Sequence, residues 1–114
     1  MLSLVGLAGL GSVPRVEIAP GVRMPKLNLG TCCGSLPAVG IPAWFKAGGV
    51  GIDTAWDYND ETNIGELLKA SGKKRSDYFI TTKIPAGVGA LHGNATDCAA
   101  DPSVALRYLR DNLR

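Results

Sequence analysis

The sequence has little of the residue types that mark several specialised protein classes. Its 114 residues include three cysteines and one histidine. An odd, small number of cysteines excludes the disulfide framework of a small secreted domain. Lys and Arg total 12 against 10 Asp and Glu, so no basic surface for nucleic acid is expected. With 46% apolar and 19% charged residues, the composition instead predicts one ordinary globular domain.

Long apolar runs are also missing. The longest is at residues 1–10, which is shorter than the roughly 20 residues that a membrane-spanning helix needs. It lacks the positive flank and small-residue cleavage pattern of a signal peptide. We therefore interpret residues 1–14 as an N-terminal extension, with a targeting segment at residues 1–12 as the alternative. We expect no membrane partner and predict a reducing, cytoplasmic location.

The few histidine and cysteine residues do not form a recognisable site. His92 and Cys98 lack the spacing of zinc ligands, so His92 is interpreted as a loop residue and no metal is predicted. The adjacent Cys32 and Cys33 are expected to be free thiols, with a redox-active pair as the alternative. The Gly-Val-Gly at 87–89 departs from a dinucleotide-binding loop because it opens no helix.

Hydrophobic spacing and turn residues predict a series of short elements. A hairpin forms around Pro20-Gly21, because proline and glycine suit its turn. After the hairpin, the pattern predicts strands at 26–31, 50–55 and 78–84. It also predicts a short helix opened by Pro42, a helix at 61–71 and a final helix from Pro102 to the chain end. The apolar stripe of the final helix consists of Ala105, Leu106, Leu109 and Leu113.

This alternation of strands and helices is typical of an α/β protein with parallel strands. The strands end near Thr31, Asp53 and Lys83, a spacing that suits the roughly 30 residues per unit of an eight-unit barrel. We predict a partial (β/α)8 TIM barrel, made of an N-terminal β-hairpin and about three βα units. The last helix has no stop signal, so we expect the chain to be the first part of a longer fold.

Polar groups at the ends of these strands indicate where chemistry could occur. Parallel strands place their carboxyl ends at one edge, where active sites collect. Asp53 and Lys83 are expected to be buried there and to pair, since an unpaired buried charge is costly. A lysine cation near Tyr58 would favour the phenolate and make the tyrosine a better proton donor near neutral pH. An ion pair with no function beside a surface tyrosine is the alternative.

Three motifs resemble those of the aldo-keto reductase family. Residues 51–61, GIDTAWDYNDE, resemble the family signature that ends strand two and opens helix two. FITTKI at 79–84 resembles its strand-three motif, and MPKLNLGT at 24–31 its first strand. The resemblance covers residues 16–114 and implies a (β/α)8 barrel, closed at its floor by the hairpin, that reduces small aldehydes and ketones to alcohols with NADPH.

The resemblance also implies roles for individual residues. Tyr58 would be the general acid that protonates the carbonyl oxygen, and Lys83 and Asp53 the pair that tunes it. Gly30 and Thr31, with Asp53, would lie near the nicotinamide and its ribose. The residues implied for the substrate pocket are Cys32, Trp56 and Asp57; Cys32 stands where several members carry a bulky aromatic residue.

The family's fourth catalytic residue, a histidine ending strand four, would follow Arg114 and cannot be His92. Two functional classes therefore stay open for the sequence. One is an NADPH-dependent oxidoreductase of which this chain is a part. The other is a non-catalytic partial barrel that acts only through association with a partner, because an open strand edge invites pairing. The isolated chain is expected to aggregate or to be partly disordered.

Overall fold

The computed structural model describes residues 12–85 and 102–113. Most of the interpreted extension at 1–14 lies outside these residues, as do His92, Cys98 and the Gly-Val-Gly at 87–89. The described strands are β1 (Arg15–Ala19), β2 (Val22–Pro25), β3 (Leu29–Gly30), β4 (Gly51–Asp53) and β5 (Phe79–Thr81). The helices are α1 (Pro37–Lys46), α2 (Glu61–Ala70) and α3 (Pro102–Asn112), with 3₁₀ turns at Trp56–Tyr58 and Arg75–Asp77.

The predicted hairpin and parallel sheet are both confirmed. Strands β1 and β2 pair antiparallel, and Gly21 supplies the positive φ of +73° that their turn requires. Strands β3, β4 and β5 form a parallel sheet in that order. Each of the three is followed by a helix, which gives the predicted hairpin plus three βα units. Across the described ranges this sheet stays open and forms no closed barrel.

The core lies between the sheet and the first two helices. Ile52 of β4 is fully buried against Ile41 of α1 and against Ile64 and Leu68 of α2. On the other side of β4, the side chains of Asn28 and Pro25 fill the space that a Cβ at Gly51 would need. Strand β4 is therefore covered on both faces, which suits a parallel strand.

The strands are shorter than the sequence pattern predicts. Strand β3 has two residues and β4 and β5 have three each, whereas the predicted segments have six or seven. Paired residues run only from Leu29 to Gly30 along β3, and the chain beyond Asp53 leaves the sheet to enter the 3₁₀ turn. The predicted strands are too long because the sequence pattern also includes apolar β-branched residues that lie outside the hydrogen-bonded ladder of the sheet.

Helix α1 starts earlier than predicted. Pro37, not Pro42, occupies the first turn, and Pro42 lies inside the helix. The amide of Gly40 donates to the carbonyl of Leu36 at 2.8 Å. This hydrogen bond closes the first turn of the helix before the chain reaches Pro42. An interior proline costs about 3 kcal/mol. Burial of Ile41, which is 1% exposed, contributes about 1.5–3 kcal/mol in the other direction.

Helices α2 and α3 begin at the predicted positions. Helix α2 ends before Gly72, whose φ is +67°. Helix α3 ends at Asn112 rather than running on, and its contact with the rest of the described chain includes Tyr108, edge-on to Trp56 at 4.9 Å between ring centres. Its apolar stripe stays open to solvent, with Leu106 51% and Leu109 47% exposed. No helix in the described part has the length and apolar character to cross a membrane.

Candidate active site

The carboxyl ends of the three parallel strands are tied together by backbone hydrogen bonds that continue beyond the strands. The amide of Thr31 donates to the carbonyl of Asp53 at 3.1 Å, and the amide of Thr54 donates to the carbonyl of Thr81 at 2.8 Å. One step further, the amide of Trp56 donates to the carbonyl of Lys83 at 3.0 Å. These bonds hold the polar residues after each strand at one edge of the sheet.

Lys83 and Asp53 form an ion pair at this edge. The Nζ of Lys83 donates to Oδ1 of Asp53 and, at 2.9 Å, to the carbonyl of Thr54. The expected pairing is therefore present, but the expectation that the pair is buried is wrong, since the side chains are 47% and 39% exposed. Helices α1 and α2 cover the strands below this edge and leave the edge itself open. A pair this exposed contributes little to stability.

The pKa of Lys83 is raised above its ordinary value of 10.5 by its surroundings. Partial burial lowers the pKa, but the hydrogen bond and charge of Asp53, together with Tyr58, outweigh that effect. Lys83 is therefore a fixed cation at neutral pH. It can stabilise negative charge on a neighbouring oxygen without itself giving up a proton.

Tyr58 lies beside this cation. It ends the 3₁₀ turn at Trp56–Tyr58, where its amide donates to the carbonyl of Ala55 at 3.0 Å and Asn59 follows with a left-handed φ of +53°. The Nζ of Lys83 is 5.4 Å from the centre of the Tyr58 ring. The structure thus brings together the three residues to which the sequence assigned the proton-transfer chemistry.

Two cavities meet at Tyr58. The first, of about 490 Å³, is lined by Trp56, Tyr58 and residues at the start of α2. The second, of about 410 Å³, is lined by Tyr58, Asp60 and the segment from Thr31 to Ser35. A tyrosine that borders two neighbouring cavities can face a substrate in one and a second bound molecule in the other.

The other residues with implied roles are placed less uniformly. Thr31 and Cys32 line the second cavity, and Trp56 lines the first. Gly30 is exposed at the end of β3, paired with Asp53 across the ladder, and lines neither cavity. Asp57 is half-buried and also lines neither of them, so its implied contact with substrate has no support in this geometry.

Cys32 and Cys33 are joined by a disulfide bond, so the expectation of free thiols is wrong for this pair. The carbonyl of Cys32 accepts the amide of Ser35 at 3.2 Å, and Cys33 and Gly34 between them have φ of +62° and +92°. This tight turn brings the two sulfur atoms together on the wall of the second cavity. The sequence prediction rests on the odd number of cysteines and on the usual behaviour of a free cysteine as a small apolar residue, and neither shows the turn from Cys32 to Ser35.

Sequence reasoning missed two hydroxyl–carboxylate hydrogen bonds next to the site. The hydroxyl of Thr54 donates to Oδ1 of Asp60 at 2.6 Å, and the hydroxyl of Thr82 donates to Oε1 of Glu61 at 2.5 Å. From the sequence, Asp60 and Glu61 indicate only a favourable acidic start of α2. Their position in the run that carries Tyr58 was the available signal, but the hydroxyl partners depend on how the strands align.

No group of three or more potential metal ligands occurs in the part of the chain that the structure describes. A reduced nicotinamide cofactor can be tested against the second cavity. Oδ2 of Asp60, on its wall, is buried and has no hydrogen-bond partner in the described residues. A ribose hydroxyl could donate to this oxygen, so the cavity fits the nicotinamide and ribose end. Its described lining includes no Lys or Arg that would select a phosphate on the adenine side.

Comparisons with known proteins agree with the motifs. The family model described as the aldo/keto reductase family matches residues 39–110. The chain is similar to morphine 6-dehydrogenase of Pseudomonas putida, with 38% identity over 65% of the chain and 26% of that protein. It is 32% identical to an aldo-keto reductase of Mycobacterium avium, over 76% of the chain and 31% of the relative. Methylglyoxal reductase DkgA of Salmonella typhimurium is 42% identical, over 60% of the chain and 26% of its own length. The chain thus spans between a quarter and a third of the length of these relatives.

Proposed function

This chain belongs to the aldo/keto reductase family, and from that premise we propose that the protein reduces small aldehydes and ketones to alcohols with a reduced nicotinamide cofactor. Carbonyl reduction needs a hydride at carbon and a proton at oxygen. The relatives are named as reductases and a dehydrogenase of small molecules. We take NADPH as the cofactor and the cytoplasm as the location, as the sequence suggests.

The single observation that carries the proposal is the arrangement around Lys83. Its cation is held by Asp53 and the Thr54 carbonyl and lies 5.4 Å from the centre of the Tyr58 ring. When Tyr58 gives its proton to a carbonyl oxygen, negative charge develops on the phenol oxygen, and a fixed cation stabilises that charge. Asp53 keeps the cation in place, so Tyr58 is the general acid and the ion pair its electrostatic support.

The two cavities could hold the substrate and the cofactor on either side of Tyr58. A bound nicotinamide would supply the hydride. Thr31 and Asp60 on the wall of the second cavity would bind the ribose and orient the ring, with Gly30 and Asp53 at the adjoining strand ends. Trp56 would line the carbonyl pocket in the first cavity, and Cys32 would border it from the second. Solvent would return the proton to the phenolate after the alcohol leaves.

Replacement of Tyr58 tests the proposal directly. We expect Tyr58→Phe to lower NADPH-dependent aldehyde reduction about 10²–10⁴-fold, because the proton donor is lost. Nucleotide affinity, measured by calorimetry, should stay nearly unchanged. Tyr78→Phe is the matched control. Tyr78 precedes β5, whereas Lys83 follows that strand at its other end, so this variant should retain the wild-type rate.

A Tyr58→Phe variant with undiminished turnover would refute the acid assignment. Absence of any turnover in the wild-type protein would favour the second candidate, a non-catalytic barrel fragment that acts through association. That candidate is favoured by one observation, the exposed apolar stripe of α3, in which Leu106, Leu109 and Leu113 are 51%, 47% and 78% exposed.

A further inference from the structure

We propose that Thr54 is a positioning residue that sets the placement of Tyr58 relative to Lys83. This inference rests on the proposed function, in which Tyr58 donates the proton and Lys83 supports it. Thr54 is 2% exposed and lines neither of the two cavities that Tyr58 borders. It would act through its neighbours and not through substrate.

Thr54 makes three hydrogen bonds that point to this role. Its amide donates to the carbonyl of Thr81 at 2.8 Å, which fixes it to β5. Its carbonyl accepts Nζ of Lys83 at 2.9 Å. Its hydroxyl donates to Oδ1 of Asp60 at 2.6 Å. One buried residue thus contacts the lysine through its backbone and the start of α2 through its side chain.

The hydrogen bond from the Thr54 hydroxyl to Asp60 joins the two ends of the loop that carries Tyr58. Residues 55–59 connect Thr54 to Asp60, and Tyr58 is the fourth of these five. A short loop whose two ends are joined by a side-chain bond has few conformations left, because closure removes chain entropy. Without the side-chain bond, Tyr58 would keep its turn bond to Ala55 and the Asp60 carbonyl would still accept the amide of Ile64 at the start of α2, but the loop would lose its direct tie to Thr54.

The bond between Thr82 and Glu61 does not replace this anchor. It also joins a strand end to the first turn of α2, at 2.5 Å, but Thr82 is exposed. Exposed hydrogen bonds compete with water and constrain the chain less than buried ones. The buried Thr54–Asp60 bond is therefore the one expected to control the position of Tyr58.

Thr54→Val tests the proposal, because valine keeps the shape of threonine and removes the hydroxyl. We expect kcat to fall about tenfold with KM and nucleotide affinity nearly unchanged, since misplacement of a proton donor affects the chemical step. Thr54→Ser keeps the hydroxyl and should restore most of the rate. Ser76→Ala is the matched control, because it removes a hydroxyl–carboxylate contact, to Asp77, at the other end of β5.

A positioning role makes a further prediction that a general loss of stability does not. In the Tyr58→Phe background, Thr54→Val should have no further effect on the residual rate, because its effect passes through the phenol. Asp60→Ala removes both the acceptor of the Thr54 hydroxyl and the proposed ribose contact, so it should lower kcat at least as much and also weaken nucleotide affinity; adding Thr54→Val to it should lower kcat little further. An additional loss in the Tyr58→Phe background would overturn the proposal.

A measurement without turnover separates this proposal from the proposed function. In protein with labelled tyrosine, the nuclear Overhauser contact between the Tyr58 ring and the Lys83 side chain should weaken at least twofold in Thr54→Val and recover in Thr54→Ser. An unchanged contact in a folded Thr54→Val protein would refute the positioning role. Loss of that contact in a protein that reduces no carbonyl would instead uphold the positioning and refute the catalysis.

Discussion

At the scale of single residues, the candidate site contains an ion pair that contributes little to the stability of the fold. Lys83 and Asp53 are each more than a third exposed, so their pairing is screened by water. The sequence could predict Asp53, Tyr58 and Lys83 because they follow apolar strands in a recognisable motif. It could not predict that Thr54 bonds Asp60, since short hydroxyl side chains find partners only after the chain has folded.

The raised pKa of Lys83 makes the ion pair sensitive to alkaline pH. The protonated lysine is the form that pairs, so its stabilisation is complete below the ordinary pKa of 10.5 and is lost as the pH rises through the raised value. We expect the unfolding free energy of the wild type, relative to Lys83→Met, to be constant from neutral pH to about 10 and to decrease above it.

Urea unfolding of both proteins at each pH measures this difference. In an Asp53→Asn background the dependence should weaken, because the carboxylate of Asp53, which raises the pKa of Lys83, is gone. A difference that grows with alkaline pH would contradict the assignment.

At the scale of elements, hydrophobic spacing and turn residues located the described helices and strands, but they did not fix the start of α1 or the ends of the parallel strands. Helix α2 matched because an acidic first turn and Gly72 both mark its limits. Helix α1 did not, since Pro42 looks like a helix start and is an interior residue. The start of α1 depends on the packing of Ile41 in the core. A local sequence pattern does not show which residues a side chain packs against.

Replacement of Pro42 should stabilise α1. Pro42→Ala restores an amide that can donate to the carbonyl of Ala38, four residues earlier. Proline in a helix interior costs about 3 kcal/mol, part of which is offset by its restriction of the unfolded chain. We expect the free energy of unfolding to rise by roughly 1–2 kcal/mol, as measured in urea.

Pro37→Ala is the matched control, because Pro37 is at the start of the helix, where its missing amide is not needed. It should change stability by no more than about 0.5 kcal/mol. Equal effects at the two positions would show that Pro42 is not strained within the helix.

At the scale of the whole molecule, the described residues form a hairpin and three βα units, whereas an eight-unit barrel has eight. Members of the aldo/keto reductase family form a (β/α)8 barrel, and the described sheet has its three strands in the sequential order that such a barrel requires. Strands β3 and β5 are the edges of this sheet. Together with the apolar stripe of α3, these edges are open surfaces in the part of the chain that the structure describes.

This arrangement predicts association of the isolated 114-residue polypeptide. Sedimentation velocity should show an average mass that rises with concentration, because open edges and exposed leucines pair with other copies. The double variant Leu106→Lys, Leu109→Lys should shift the onset of association to higher concentration. The matched control, Arg107→Lys with Arg110→Lys on the same helix, should not. A monomer at all concentrations would contradict this prediction.

The two tryptophans provide optical reporters at opposite ends of β4. The indole of Trp44 donates to the carbonyl of Gly51, at the start of the strand, at 2.8 Å, whereas Trp56 follows the strand's other end and lines a cavity. Emission from Trp44 will therefore follow the docking of α1 on the sheet, and emission from Trp56 will follow occupancy beside Tyr58. When one tryptophan is replaced at a time, fluorescence emission can distinguish the docking of α1 on the sheet from the binding of a ligand beside Tyr58.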